Sequence, residues 1–329
     1  MSNTLFSIDD IERLGTRARR ENATNLFNGM AQLDNNMPAT RFEGLVREVV
    51  GSIEGDEHRE ADKRRADEGS LPTGYFSAMD SAGLLAGEHR VYGFLQAIRR
   101  TPNVRRAIDI GTGSSALLAI ATAVFQQKTE RIVAYEINEV AAECARRVIE
   151  LCGFEDLIEV VADNALDVPV KEADLVVSET FHRGLGNELG AKIMQHYGEA
   201  AMHLLPAGAS VYAGAFERFI GRPVQRFGVF DGYGQWRLSG NVDFRKKSPF
   251  VEGSFNYSAP FPLALFAWTS LYDEFGVELI PYKLDQISQA VDLGNLPASD
   301  EVLTNVQFAY AHSCGIPADT VRKTLTPQT

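Results

Sequence analysis

The chain has 329 residues, 45% of them hydrophobic and 23% charged, and its formal net charge at pH 7 is −12. This length suits two packed units, and the acidic balance argues against broad nucleic-acid binding, which needs a basic surface. The first residues show no secretion signal, and the longest apolar run, at 116–125, is about half of what spans a bilayer. We therefore expect a cytoplasmic protein that binds neither nucleic acid nor a membrane, and its three cysteines show no metal-site spacing.

Residues 1–70 are predicted to form a helical N-terminal extension. Ser7 precedes two acidic residues, a pattern that favours a capped helix start. An apolar stripe at helical spacing runs from Phe42 to Val50, so we expect it to form one buried face. A further helix is predicted at about 84–99.

Strand and helix patterns then alternate along the chain, which favours a parallel, doubly wound sheet. The predicted strands are 106–110, 131–136, 158–162, 174–178 and 210–219, and the predicted helices are 116–125, 139–151 and 190–205. We assign residues 71–219 to this Rossmann-like α/β domain.

Residues 220–329 are predicted to form a small antiparallel β-unit. Short β-like runs separated by Gly, Pro and Asn turns support this interpretation, while the last 30 residues are left unassigned. The β-like runs are 227–230, 236–238, 263–271 and 277–280.

A glycine-rich turn follows the first strand of the predicted sheet. The strand carries Asp109 and leads into Gly111 and Gly113 before the next helix. Glycines let the backbone approach a ligand, and the turn lies at the carboxyl end of the strand. The alternative is a tight turn with no ligand, since Ala116 breaks the complete dinucleotide fingerprint.

Acidic residues end the next two strands. Glu136 lies 25 residues after Gly111, where an acid can accept hydrogen bonds from both ribose hydroxyls of a nucleotide-like cofactor. Asp163 and Asn164 follow the third strand and would contact adenine. The alternatives are an exposed strand-end acid for Glu136 and a simple Asx turn for the Asp-Asn pair.

The ordered set of glycine turn and acids resembles the class I S-adenosylmethionine-dependent methyltransferases. The Asp109-x-Gly111-x-Gly113 segment is typical of that family, and Ser115 stands where its third small residue is usual. The resemblance implies S-adenosyl-L-methionine as cofactor. The glycines and the acid alone would also suit a nicotinamide-dependent enzyme. However, no set of residues typical of hydride transfer is recognisable.

Two glutamates flank the loop after the fourth strand. Glu179 ends the strand and Glu188 follows nine positions later. Two carboxylates can converge on one guanidinium, whose donors form a planar fork. The loop resembles the double-glutamate loop of the arginine N-methyltransferases, including the type that methylates free L-arginine in streptozotocin biosynthesis, an antibiotic pathway. The alternative functions of the two acids are a strand-end acid and a helix N-terminal acid.

The resemblance covers about residues 75–215 and implies further roles. Arg90 would bind the methionine carboxylate of the cofactor, and Tyr75 and Phe76 would lie over the active site. Trp268 is the candidate for a substrate-side tryptophan, although Ala267 stands where the family has His. The family also implies a homodimer and a β-barrel-like substrate and dimerisation domain, here reduced, at 220–329.

These features predict an arginine N-methyltransferase in which Glu179 and Glu188 are catalytic. Arginine stays protonated at neutral pH, so it is a poor nucleophile. Two ionised glutamates would draw its charge toward the nitrogens that they contact and leave electron density on the remaining one. The short β-unit and the helical extension favour free L-arginine or a close small molecule. The alternatives are a protein arginine methyltransferase and a catalytically silent scaffold that binds S-adenosylmethionine.

Overall fold

The computed structural model describes residues 7–32, 37–55, 58, 60–61, 64, 77–83, 88–181, 190–217, 237–246, 250–259, 263–279, 291–296, 299–311 and 324–327. The chain forms two compact units. The first comprises residues 1–179 and 199–205, and the second comprises 180–198 and 206–329. The division into segments at 70/71 and 219/220 stays a prediction.

The N-terminal extension is helical, as predicted. It contains α1 (Ile8–Glu12), α2 (Thr16–Met30) and α3 (Met37–Ile53). The Ser7 side chain accepts a hydrogen bond from the backbone of Asp10 at 3.3 Å, which confirms the predicted cap. The apolar stripe of α3 is buried, and the rings of Phe27 and Phe42 meet edge-on with centroids 5.2 Å apart.

The rest of the first unit alternates helices with the strands of one sheet. Its elements are α4 (Ala78–Gly83), α5 (Glu88–Arg100), β1 (Arg106–Ile110), α6 (Leu117–Phe125), β2 (Arg131–Glu136), α7 (Glu139–Cys152), β3 (Ile158–Ala162), β4 (Ala173–Ser178) and β5 (Ala201–Leu205). Within the described residues, the helices include none long and apolar enough to cross a membrane.

The sheet of the first unit is parallel and has the strand order β3-β2-β1-β4-β5. Ile110 lies opposite both Tyr135 and Ser178, so the carboxyl ends of the three central strands meet at one edge. The chain adds strands on one side of β1 and then continues on the other side with β4. A ligand crevice is expected at such a switch point, and this topology confirms the predicted Rossmann-like fold.

One helix prediction was wrong in its second half. The sequence predicted a helix over 190–205, but the helix α8 (Gly190–Tyr197) ends early and β5 follows it. A short apolar run such as 200–205 suits a buried strand as well as a helix, so periodicity cannot separate the two. The fifth strand of the parallel sheet is therefore β5, beside β4, and not the predicted strand at 210–219.

The N-terminal extension contacts the α/β part of the first unit at the end of α7. Gly153 ends that helix with a φ of 77°, and a β-carbon there would meet the Thr16 carbonyl oxygen at 2.8 Å. Arg20 donates to the Gly153 carbonyl and lies over the Phe154 ring, 5.5 Å from its centroid. Helix α3 also packs against both α7 and α4. The extension is therefore built onto its own sheet domain.

The second unit carries two antiparallel sheets, which confirms the predicted β-unit. They have the strand orders β10-β9-β6-β7 and β12-β11-β8. The strands are β6 (Gly208–Glu217), β7 (Arg237–Asp243), β8 (Phe250–Ala259), β9 (Leu263–Tyr272), β10 (Val291–Leu296), β11 (Ser299–Ala311) and β12 (Thr324–Pro327).

Three details of this unit depart from the sequence predictions. The strand predicted at 210–219, which was assigned to the parallel sheet, is β6 of an antiparallel sheet. The predicted strand at 277–280 does not form over its described residues, 277–279, which make a single bridge between Tyr272 and Glu278. The unassigned C-terminal 30 residues contribute most of β11 and all of β12. The predicted run at 227–230 lies outside the described residues.

Candidate functional site

The glycine turn after β1 is fixed by hydrogen bonds to the backbone of β2 and to the side chain of Asp109. Gly111 and Gly113 have φ angles of 72° and 62°, which L side chains rarely adopt. The backbone N–H groups of Gly111 and Thr112 both donate to the Tyr135 carbonyl, at 2.9 and 3.0 Å. Asp109 Oδ2 accepts from the Thr112 hydroxyl at 2.6 Å and from the Ala119 N–H at 3.0 Å. The turn is therefore rigid before any ligand binds.

Glu136 lies beside this turn at the end of β2. Its two carboxylate oxygens accept from the N–H groups of Gly113 and Asn138, each at 2.9 Å. Burial raises the pKa of Glu136, while the backbone donors oppose that rise. The Ile137 N–H is a third backbone donor to this carboxylate. Because an ionised carboxylate has about four lone-pair sites, it can still accept a hydroxyl. Glu136 therefore suits the ribose role that the sequence predicts.

Helix α4 lies on the glycine turn through two serines. The Ser81 and Ser114 hydroxyls are 2.8 Å apart, and Ser81 Oγ also accepts from the Ser114 N–H at 3.0 Å. A β-carbon on Gly113 would meet Ser81 Cβ at 3.3 Å. The sequence analysis missed this helix and its serine, although Ser77 and Asp80 form a capping pair that signals its start.

Asp163 and Asn164 form an Asx turn. Asn164 Oδ1 accepts from the Leu166 N–H at 3.1 Å, and its amide donates to Asp167 at 2.7 Å. The Asp163 carboxylate accepts from the Asn164 N–H at 2.7 Å. The adenine contact of this pair stays a prediction.

An ion pair at the end of β4 joins Arg90 to Glu179. Both side chains are largely buried, with 10% and 15% of their surfaces exposed. Ser178 fixes the position of the strand end, because its hydroxyl donates to the Ile110 carbonyl at 2.9 Å. Arg90 and Glu179 therefore meet at the switch point between β1 and β4. The sequence predicted both residues as site residues but gave no reason to expect their contact.

Asp109 brings a second buried carboxylate to this edge. Burial raises its pKa to about 7, the bonds from Thr112 and Ala119 lower it, and the charge of Glu136 raises it. Burial also raises the pKa of Glu179 to about 7, which Arg90 opposes and the charge of Asp109 reinforces. Within the described residues, Oδ1 of Asp109 is buried and accepts no hydrogen bond.

The remaining predicted site residues are placed as follows. Tyr75, Phe76 and Glu188 lie outside the described residues. Trp268 lies in β9 of the second unit, where its backbone pairs with Tyr212 of β6. Their roles stay predictions.

The central part of the chain is similar to a known protein family. A family model described as ribosomal protein L11 methyltransferase (PrmA) matches residues 91–205. A ribosomal protein L11 methyltransferase of Bacillus velezensis is 40% identical over 73 residues, which are 22% of this chain and 22% of that protein. An arginine N(omega)-methyltransferase of Streptomyces achromogenes subsp. streptozoticus is 36% identical over 113 residues, 32% of this chain and 29% of that protein. The chain thus matches less than a third of the length of these relatives.

Solved structures resemble the fold over a longer span. The PRMT1 enzyme-prozyme heterotetrameric complex of Trypanosoma brucei, with AdoHcy, has a TM-score of 0.58 at 14% identity, covering 74% of this chain and 95% of that chain. Protein arginine methyltransferase 10 of Arabidopsis thaliana has a TM-score of 0.50 at 13% identity, covering 72% and 93%. At these identities the likeness concerns the fold.

These matches and the sheet topology make residues 91–205 similar to the class I S-adenosylmethionine-dependent methyltransferases, and part of the chain is similar in sequence to an arginine methyltransferase. S-adenosylmethionine is the cofactor of this class, and the structure fits it. The turn at Gly111 and Gly113 presents backbone, Glu136 retains acceptor capacity, and the buried Oδ1 of Asp109 is available to a bound group.

Proposed function

We propose that this protein is an S-adenosylmethionine-dependent N-methyltransferase that acts on the guanidino group of arginine, with free L-arginine or a close small molecule as the preferred acceptor. One observation carries the proposal. Glu179, at the switch point of the sheet, already holds a guanidinium, that of Arg90. A carboxylate that binds this group within the protein has the shape and charge to bind it on a substrate.

The cofactor half of the mechanism belongs to β1 and β2. S-adenosylmethionine, when bound, supplies the methyl group on a sulfonium centre. Gly111 and Gly113 would admit the cofactor close to the backbone, and Glu136 would accept from its ribose hydroxyls. Arg90 would meet its carboxylate. Burial raises the pKa of Asp109 to about 7, so above that pH its carboxylate would add negative charge to an edge that receives a cationic cofactor.

The acceptor half belongs to the loop after β4. We propose that Glu179 and Glu188 bind two nitrogens of the acceptor guanidinium and hold the third toward the methyl donor. Orientation of this kind supplies much of the rate enhancement in group transfer. The charge on the two bound nitrogens is stabilised by the carboxylates, which leaves the third nitrogen more nucleophilic. Glu179 must be ionised to act in this way.

The arrangement of the extension supports a small acceptor. Helix α3 packs against α4, and α4 is bound to the glycine turn by Ser81 and Ser114. Two helical layers thus cover one side of the cofactor edge, which favours a free amino acid over a folded protein. A protein acceptor is the second candidate, because the matching family model describes a methyltransferase of ribosomal protein L11.

Methyl transfer to three acceptors tests the proposal. Purified protein is incubated with isotopically labelled S-adenosylmethionine and, in parallel, L-arginine, an arginine-containing peptide and ribosomal protein L11. We expect label on the guanidino group of L-arginine, located by mass spectrometry. Label on the peptide alone would shift the assignment to protein arginine. Label on L11 amines, or cofactor binding without any turnover, would contradict the arginine assignment.

We also propose a homodimer, which light scattering tests.

A further inference from the structure

Arg90 occupies an unusual electrostatic position. Among the residues that the structure describes, it is the one arginine or lysine that is buried, with 8% of its surface exposed. Three buried or largely buried carboxylates end the neighbouring strands, those of Asp109, Glu136 and Glu179. A buried charge is costly unless it is compensated. The Arg90–Glu179 ion pair therefore compensates one buried charge with another of opposite sign.

Two ligands of the proposed reaction compete with that pair. The cofactor carries an α-carboxylate, and a carboxylate that enters this acidic edge needs a cation, for which Arg90 is the buried candidate. The acceptor carries a guanidinium that needs Glu179. Each ligand can therefore take one partner of the Arg90–Glu179 pair, and the group released by the first ligand becomes available to the second.

We infer that Arg90 and Glu179 exchange partners during the binding cycle: the cofactor carboxylate draws Arg90 away from Glu179, which frees Glu179 for the cationic acceptor. The inference rests on the proposed function for the identity of the acceptor. Arg90 is then a positioning residue that couples the two sites, and the two ligands bind with positive cooperativity. Coupling between two sites is typically about 5–150-fold in affinity. The raised pKa of Glu179, which Arg90 opposes, agrees with mutual dependence of the two groups.

The cofactor side of the exchange is tested without turnover or acceptor. Calorimetry compares S-adenosylhomocysteine with its decarboxylated analogue, S-adenosyl-3-thiopropylamine, which keeps the adenosine and the amine. In Glu179→Gln, Arg90 has lost its competing partner, so S-adenosylhomocysteine should bind on the order of tenfold more tightly. The decarboxylated analogue should not gain. Unchanged or weaker binding of S-adenosylhomocysteine, or an equal gain for both ligands, would overturn the exchange.

Two further variants separate the exchange from general effects of charge. Glu159→Gln removes an exposed acid that pairs with Arg131 on β2 and should leave both affinities unchanged. Arg90→Lys keeps the charge but loses the planar fork. Arg90→Lys should weaken S-adenosylhomocysteine binding. Adding Glu179→Gln to Arg90→Lys should then raise the affinity by a smaller factor than Glu179→Gln does in the wild-type protein. Equal restoration would contradict partner exchange. Thermal unfolding verifies that each variant is folded.

The acceptor side uses L-arginine binding. Saturating S-adenosylhomocysteine should tighten L-arginine binding on the order of tenfold, and the decarboxylated analogue should not. L-arginine that binds equally well with either ligand would overturn the exchange while leaving the proposed function intact. L-arginine that fails to bind under every condition would contradict the proposed function, and the Glu179→Gln experiment would still decide the exchange.

Discussion

The two halves of the candidate site are built in different ways. The β1–β2 half is held by short-range contacts, in which Asp109 and Glu136 accept hydrogen bonds from the same turn that they flank. The β1–β4 half depends on the pair of Arg90 and Glu179, which are 89 positions apart in the chain. The geometry of the β1–β2 half should therefore be insensitive to substitutions elsewhere in the fold. The geometry of the β1–β4 half should change with the charges around the Arg90–Glu179 pair.

The largest expected effect comes from the rigid half. Gly113→Val places a β-branched side chain at a φ of 62° and against Ser81. We expect S-adenosylhomocysteine binding to fall beyond ~100-fold, measured by calorimetry, because the turn must move to admit the side chain.

A matched control lies in the second unit. Gly276 has a φ of 73°, but a β-carbon there meets nothing within 4 Å. Gly276→Val should lose about 1–2 kcal/mol of stability and keep its cofactor affinity. Equal loss of binding in both variants would show that general destabilisation explains the effect.

The charge-dependent half should show the next largest effect. Glu179→Gln and Glu188→Gln keep the side-chain shape but remove the negative charge. Each should lower kcat with L-arginine by ~100-fold or more, since positioning and charge stabilisation are lost together. The effects should be non-additive, because both acids are proposed to hold one group. Steady-state kinetics of the single and double variants measures this, and a near wild-type rate in the double variant would refute the acceptor assignment.

The difference between the two halves also explains what the sequence could predict. The glycine turn and Glu136 are local features at the ends of β-rich apolar runs, so the bounds of β1, β2 and β3 were predicted as observed. The contact of Arg90 with Glu179 joins the start of α5 to the end of β4 across the tertiary fold, which no local pattern encodes. Strand β5 was missed because its apolar run is equally typical of a helix.

Loss of the Glu136 carboxylate should have an intermediate effect. Glu136→Ala leaves the N–H groups of Gly113 and Asn138 without their acceptor, as well as the ribose hydroxyls. Cofactor affinity should fall by ~1–3 kcal/mol. Calorimetry on the folded variant checks this, and an unchanged dissociation constant would remove Glu136 from the cofactor site.

The stability of the ligand-free protein should decrease as pH rises. Burial raises the pKa values of Asp109 and Glu179 from 3.8 and 4.5 to about 7. Between those values the folded state binds more protons than the unfolded state, so the free energy of unfolding falls as pH rises, by about 1.4 kcal/mol for each unit of pKa shift.

Urea unfolding at a series of pH values measures this slope. Glu179→Gln should flatten it, whereas Glu159→Gln, an exposed acid on β3, should leave it unchanged. A slope of the opposite sign would mean that both carboxylates are stabilised as anions in the folded protein.

The smallest effect is expected where the extension meets α7. Arg147 pairs with Glu12, but their side chains are 29% and 44% exposed. A double-mutant cycle on this pair should give a coupling of ~0.2–1 kcal/mol. A coupling above that range would show that this ion pair stabilises the protein more than its exposure predicts.

Acceptor competition tests the central claim most directly. The enzyme is given S-adenosylmethionine with L-arginine and L-lysine at equal concentrations, and the methylated products are quantified by mass spectrometry. A planar guanidinium can engage two carboxylates in one plane, whereas a compact ammonium cannot hold both in the same plane. We therefore expect methylated L-arginine in large excess, an excess that Glu179→Gln abolishes. Preferential methylation of L-lysine, or an arginine preference that survives Glu179→Gln, would contradict the account.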